Sequence, residues 1–344
     1  MGAFRGFGGP VEISGEIEGA RYSVRIPADP IGKVLLVAHG YWPEDLPVKI
    51  DDGWANRTVE QLFEEGWAIG FTTYRRNGWI MEDAKRDLEN LSEVVVAALR
   101  GEVEAVYVMG DSMGGGIGTL MAEDPGDRIA GVLAMGAYLF GPIGAGELAA
   151  DELGEHFSRS PRIPVLYLTN VSEVEGPLAY VEAASGATVP PALWTVERSG
   201  HVNVNTAEER AALDALVVWA ETGSIDRRRD GTIEMNPPST AEISGSEGRG
   251  SIRRMIPIYG NFISGFVKAD FEKLGIGQGD HFEMEARGMT ARVLLGQSYG
   301  DVAVGEWISF WDADGYLLFC RNYRNAVETM GLELTDEVTV RRLD

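Results

Sequence analysis

Val103-Glu104-Ala105-Val106-Tyr107-Val108-Met109 runs into Gly110-Asp111-Ser112-Met113-Gly114 and on through Gly115-Gly116-Ile117-Gly118-Thr119-Leu120-Met121-Ala122-Glu123. The first run is apolar and rich in β-branched residues, which predicts a strand. The last carries small residues that suit a helix pressed onto a sheet. Between them stands G-x-S-x-G, and a strand that turns sharply into a helix is the setting in which the apical serine becomes a nucleophile. The glycines remove Cβ atoms where the turn is crowded, and a strained serine backbone holds the hydroxyl clear. Ser112 is the candidate nucleophile. The plainer alternative is an ordinary turn with Ser112 as a helix N-cap.

Working outward, the chain alternates strands and helices. Upstream, Val11 to Pro27 alternates polar and apolar residues about Gly19, predicting an edge hairpin. Gly32 to Ala38 is a continuous apolar run of the buried parallel kind, ending in the loop His39-Gly40-Tyr41-Trp42-Pro43. Val59 to Glu65 reads as a short helix stopped by Gly66, Trp67 to Tyr74 as a strand, and Arg75 to Trp79 as a loop. Met81 to Leu99 spaces Leu88, Leu91, Val95 and Leu99 along one helical face. Downstream come strands at Ile129 to Gly136, Pro164 to Asn170 and Ala192 to Arg198, the last of the series. Helices are expected at Pro177 to Ala184 and at Thr206 to Ala220, the latter capped by Thr206 or Asn205. Ala137 to Arg162, with Phe140, His156 and Phe157, is the longest excursion between strands. The fold class is α/β: a mostly parallel sheet with helices on both faces, its ligand loops after the strands' carboxyl ends.

Beyond Glu221 the texture changes. Residues 226–251 are charged, then rich in Pro, Ser and Gly, and read as a linker or a wrapping arm. From Ile252 short strand-like runs replace the alternation: Phe282 to Ala286, Thr290 to Leu295, Val302 to Ser309, Leu317 to Cys320 and Glu337 to Arg341. Asp312-Ala313-Asp314-Gly315 reads as a hairpin turn. The expected organisation is a catalytic domain over 1–225, the linker over 226–251 and a smaller β-rich domain over 252–344.

Composition narrows the function classes. The chain has 344 residues, 44% of them hydrophobic, enough for two domains and a substantial core. A net charge of -23 and a pI near 4.6 argue against nucleic acid and against anionic membrane surfaces as partners. Cys320 is the only cysteine, so neither an intrachain disulfide nor a cysteine metal cluster is expected. The first ten residues lack the apolar stretch of a signal peptide, and no run reaches the about 18 apolar residues of a membrane span. A cytoplasmic protein without cofactor or metal is the expectation.

A serine hydroxyl needs a base within hydrogen-bond reach. His201 follows the last strand of the series and is the candidate. His39, beside Gly40, is better suited to bracing its loop, and neither His156 nor His281 has a motif around it. The base in turn needs a carboxylate. Glu173, just past the strand ending at Asn170, is the choice, with Glu175 as rival. An oxyanion needs two backbone donors, most simply the N–H groups of Tyr41 and Met113. Trp42, Tyr74, Trp79 and Phe140 are candidates for an aromatic pocket wall, or for core and rim packing.

Lys33 to Ala220 resembles the α/β-hydrolase fold, through His39-Gly40 as oxyanion loop, Gly110 to Gly114 as elbow, and the order Ser112, Glu173, His201. Glu173 stands where that family usually has Asp. The resemblance implies a serine hydrolase and leaves the substrate open, because esterases, peptidases and acyltransferases share the fold. The tail is similar to the C-terminal domain of the S-adenosylmethionine hydroxide adenosyltransferases, through Ile258-Tyr259-Gly260-Asn261-Phe262-Ile263, Ser298 to Glu306 and Asn322 to Val327. That resemblance implies a nucleoside site drawn from Asn261, Tyr299, Asp301 and Asn325, or a role in assembling a homo-oligomer. Two readings follow: a carboxylesterase acting on a small-molecule ester through an acyl-enzyme on Ser112, or a nucleoside-binding or assembly module on a hydrolase scaffold.

Overall fold

The computed structural model describes residues 8–50, 57–100, 102–141, 153–256 and 260–343. The first seven residues, Ile258 and Tyr259 of the tail motif, and residues 142–152 of the excursion lie outside them. The chain divides into two units, Met1–Ile233 and Glu234–Asp344.

In the first unit nine strands form one sheet. They are β1 (Val11–Ile17), β2 (Ala20–Ile26), β3 (Lys33–Ala38), β4 (Ala68–Thr72), β5 (Ala105–Asp111), β6 (Ile129–Met135), β7 (Val165–Asn170), β8 (Ala192–Val196) and β9 (Arg228–Asp230). Their order is β1-β2-β4-β3-β5-β6-β7-β8-β9. From β4 through β9 every pairing is parallel, and the hairpin β1–β2 joins antiparallel at one edge. Glu18 and Gly19 both take positive φ in the two-residue turn that makes that hairpin. Helices α1 (Arg57–Glu64), α2 (Met81–Ala98), α3 (Met113–Glu123), α4 (Glu175–Ala183) and α5 (Thr206–Thr222) supply the crossovers. Asn205 and Glu208 form a capping box at the start of α5.

Alternation along each strand feeds two cores. On β3, Val34, Leu36 and Ala38 face the cluster packed against α2 and α3, while Leu35 and Val37 face the one against α1 and α5. Burying each such Val or Leu is worth about 1.5–3 kcal/mol. β9 departs from the sequence reading, which ends the series at β8 and places 228–230 in a linker. Its three residues are all exposed and charged or basic, so no period-2 signal marks it.

The second unit holds strands β10 (Glu242–Ser244), β11 (Glu247–Ile256), β12 (Asn261–Val267), β13 (His281–Ala286), β14 (Met289–Leu295), β15 (Trp307–Trp311), β16 (Tyr316–Arg321) and β17 (Glu337–Arg342). Their order is β10-β11-β12-β16-β15-β14-β13-β17, and a β11–β17 pairing closes the sheet into a barrel-like form. Phe262, Phe266, Phe271, Phe282 and Phe319 fill its core. Short helices α6 (Lys268–Leu274) and α7 (Ala326–Met330) complete it. Asp312 and Gly315 make the β15–β16 turn, closed by Asp312 N–H to Tyr316 O at 2.8 Å. Among the described residues no helix is long and apolar enough to cross a membrane, and no group of three or more His, Cys, Asp or Glu could hold a metal ion.

Candidate active site

The parallel order of the first sheet brings the loops after β3, β5, β6, β7 and β8 to one edge. The turn from β5 to α3 is tight because it is glycine-built. A Cβ on Gly114 would lie 1.9 Å from Ala38 O, and one on Gly110 would lie 2.4 Å from the Gly114 backbone. Ser112 takes φ 52° and ψ -118°, a costly conformation for a residue with a Cβ. Its side chain makes no capping bond to α3, unlike the N-cap alternative, and the residue is half-buried. Ser112 N–H donates to Met135 O at 2.9 Å, and Ser112 O accepts from Tyr138 N–H at 3.0 Å. These bonds tie the elbow to the segment after β6.

Gly40 closes on the elbow from the other side. A Cβ there would lie 3.4 Å from Ser112 Cβ and 3.3 Å from Asp111 Oδ2. Tyr41 follows, and Met113 is the first residue of α3, where backbone N–H groups have no partner within the helix. The His39 Nδ1–H donates to Gly40 O at 2.8 Å, since a carbonyl can only accept. Its ring stacks on Tyr74 with centroids 4.0 Å apart, and the Tyr74 hydroxyl donates to His39 O at 3.2 Å. His39 keeps some solvent contact as a residue, yet its ring is desolvated. Burial lowers its pKa, outweighing its bonds to the Gly40 and Thr73 carbonyls.

His201 and Glu173 meet across the loops that follow β8 and β7. Glu173 lies in a short 3-10 turn, Val171–Glu173, directly after β7. His201 Nδ1 is 2.5 Å from Glu173 Oε2, and Val202 N–H donates to Glu173 Oε1 at 2.9 Å. Both carboxylate oxygens are thus used on the His201 loop. Gly136, at φ 47°, makes room: a Cβ there would lie 2.6 Å from Glu173 Oε1. Glu175 instead opens α4 and is exposed. The Glu173 hydrogen bond raises the His201 pKa above the ordinary imidazole value. Partial desolvation opposes it, and the Glu173 and Asp111 charges add to it. With Nδ1–H on the carboxylate, Nε2 is the basic nitrogen.

The aromatic candidates divide. Trp42 stands edge-on to His39 at 6.1 Å, and its carbonyl accepts from Gly78 N–H. Trp79, Tyr138 and Phe140 form an edge-to-face row at 5.3 and 5.7 Å, all half-buried. Tyr74 is fully buried and supports His39 rather than lining a surface. Tyr138, which is bonded to Ser112 O, escapes sequence reasoning because nothing local distinguishes it from the rest of the excursion. His156 packs on Phe157 and burial lowers its pKa, and His281 is exposed in the second unit.

In the second unit Asn261, Tyr299 and Asn325 come together around Gly260. Asn261 Nδ2 donates to the Tyr299 hydroxyl at 2.6 Å, and a Cβ on Gly260 would lie 2.1 Å from Asn325 Cγ. Asn325 caps α7 by accepting from Glu328 N–H. Asp301 turns inward on its own turn, accepting from Gln297 and Ser298 N–H, which hold its carboxyl below the usual range. Burial pushes the nearby Cys320 thiol up to about 12.

Residues 256–339 match the SAM hydroxide adenosyltransferase C-terminal domain family. No curated protein matches the chain in sequence. Among solved structures, the chain is similar to an esterase of Pyrococcus furiosus, with 14% identity over 62% of this chain and 90% of that one, TM-score 0.44. It is also similar to the acylaminoacyl peptidase of Pyrococcus horikoshii, with 12% identity over 62% and 40% and TM-score 0.46. An uncharacterized conserved protein from Thermotoga maritima shares 17% identity over 42% of this chain, which spans 55% of its length, TM-score 0.29.

Proposed function

We propose that the first unit is a serine hydrolase that cleaves carboxylic esters through an acyl-enzyme on Ser112. The observation that carries the reading is the 2.5 Å pair of His201 Nδ1 and Glu173 Oε2, on loops at the same sheet edge as a strained, uncapped serine. Ser112 Oγ attacks the ester carbonyl carbon as His201 Nε2 takes its proton. The backbone N–H groups of Tyr41 and Met113 hold the oxyanion. His201 returns the proton to the leaving alkoxide, and the alcohol departs. Water then attacks the acyl-enzyme by the same route, releasing the acid and restoring Ser112. Glu173 fixes the tautomer and offsets the imidazolium charge. Trp42, Trp79, Tyr138 and Phe140 give the acyl group an aromatic wall. A peptidase or acyltransferase would use the same intermediate and differ in the leaving group or the acceptor.

The test is burst-phase hydrolysis of short p-nitrophenyl esters together with fluorophosphonate labelling. A burst, a label on Ser112 and loss of both in Ser112→Ala are expected. No label and no turnover on any ester would overturn the reading.

A second reading concerns the tail alone. Asn261 is 2% exposed and its Oδ1 has no hydrogen-bond partner among the described residues. A buried amide oxygen lacking a partner favours a ligand that donates to it, and an adenine-type amino group is such a donor. Nucleoside binding that disappears in Asn261→Ala would support this. No binding, but a homo-oligomer lost on truncation after Ile233, would assign the second unit to assembly.

A further inference from the structure

The loop that carries His201 is held almost entirely by one short segment, 170–173. Asn170, the last residue of β7, is 0% exposed. Its Nδ2 donates to Asn203 O at 2.9 Å, and its Oδ1 accepts from Asn203 N–H at 2.7 Å. One amide thus copies the pairing of a neighbouring strand. Two residues on, the Ser172 hydroxyl donates to Gly200 O at 3.0 Å and accepts from Gly200 N–H at 2.9 Å. Glu173 lies between these bonds in space, taking Val202 N–H and His201 Nδ1. Arg198, paired with Glu208, adds a bond to Asn203 O at 2.8 Å.

The clamped loop is not relaxed. Val202 takes φ 51° and Gly200 φ 133°. A β-branched residue in the left-handed region persists only where its surroundings over-determine it. That conformation turns the Val202 N–H toward Glu173 while the His201 ring faces the same carboxylate. An exposed loop, with His201 side chain 60% accessible, would otherwise have little to hold this arrangement.

We propose that Ser172 and Asn170 are positioning residues, which lock the backbone of loop 200–203 so that Glu173 keeps both of its bonds and His201 keeps Nδ1 on the carboxylate, leaving Nε2 as the basic nitrogen. The proposal rests on the hydrolase reading for its consequence in catalysis, but not for the clamp itself. The charged groups acting on His201 are Glu173 and Asp111, with Arg198 on the loop's flank.

Ser172 is exposed, so Ser172→Ala leaves the core untouched, and Ser172→Thr keeps the hydroxyl. Two readouts need no substrate: the NMR titration of the His201 ring, and its low-field Nδ1 proton, assigned by loss in His201→Gln. In Ser172→Ala the pKa is expected to fall toward the ordinary value and the low-field proton to weaken. Phosphonylation of Ser112 should slow about ten- to a hundredfold. Ser172→Thr should restore all three, and Asn170→Ala should exceed Ser172→Ala in effect. If Ser172→Ala leaves the titration and the low-field proton unchanged, the clamp is overturned, whatever happens to the melting temperature. If both change and recover while wild type never reacts with the fluorophosphonate, the clamp stands and the hydrolase reading falls.

Discussion

His39 and His201 occupy loops at the same edge of the same sheet, each beside a glycine, and they end in opposite states. His39 is desolvated, stacked on Tyr74 and bonded to carbonyls, and burial makes its ring less basic than usual. His201 is open to solvent and bonded to a carboxylate, so its ring is more basic than usual. A carbonyl and a carboxylate both accept from Nδ1–H, but only the carboxylate gains from a positive ring. Burial and what Nδ1 meets, rather than where the loop lies, set the opposite shifts of the two rings.

The comparison breaks most sharply by deleting each ring in turn. His201→Gln should cost about 10⁶-fold in ester turnover. His39→Gln should retain activity within about a hundredfold, the loss following from a loosened Gly40 loop rather than a missing proton acceptor. Steady-state kinetics with active-site titration checks both, and equal losses would erase the distinction. Glu173→Gln comes next, with a fall of about 10³–10⁴-fold in kcat. Because the carboxylate raises the His201 pKa, the acid limb of kcat/KM should also move to lower pH, read from a full pH–rate profile.

Stability against pH sharpens the contrast with smaller effects of opposite sign. His39 is less basic folded than unfolded, so the unfolded chain binds more protons and stability falls as pH drops through the ordinary imidazole value. His201 is more basic folded, so its contribution is complete below the ordinary value and is lost as pH rises through the raised one. Denaturant midpoints across pH 5 to 8 for His39→Gln and His201→Gln should therefore tilt in opposite directions from wild type. The smallest effect is expected from Asp111→Asn, which removes the last-ranked contribution to His201's basicity. The acid limb should move slightly downward, by less than in Glu173→Gln. A larger shift than Glu173→Gln would reassign the principal charge partner.

Much of the fold is legible in the sequence. Gly110 to Gly114 announces the elbow through chemistry confined to a few adjacent residues, and the strands around it declare themselves by unbroken apolar runs. The contact of Glu173 with His201 could be expected because each lies in a loop within a few residues of a strand's carboxyl end. Tyr138, Gly136, Asn170 and Ser172 are not legible, because their roles exist only across the sheet, where distant loops meet. β9 and β10 are three-residue strands with mostly exposed side chains, too short to carry a period. β12 is buried at every residue, so it offers no alternation either.

The glycines of α3 have a consequence for assembly. Gly114, Gly115, Gly116 and Gly118 each cost about 1 kcal/mol relative to Ala in a helix, so the segment alone would not hold a helical turn. All eleven residues of α3 are buried, and its helicity is imposed by the strands it lies on. The helix start at Met113 therefore takes shape only after β3, β5 and β6 have come together. On the proposed hydrolase reading, a partly folded chain has no reactive serine to expose in a crowded cell, and covalent capture at Ser112 counts only molecules whose central sheet is complete.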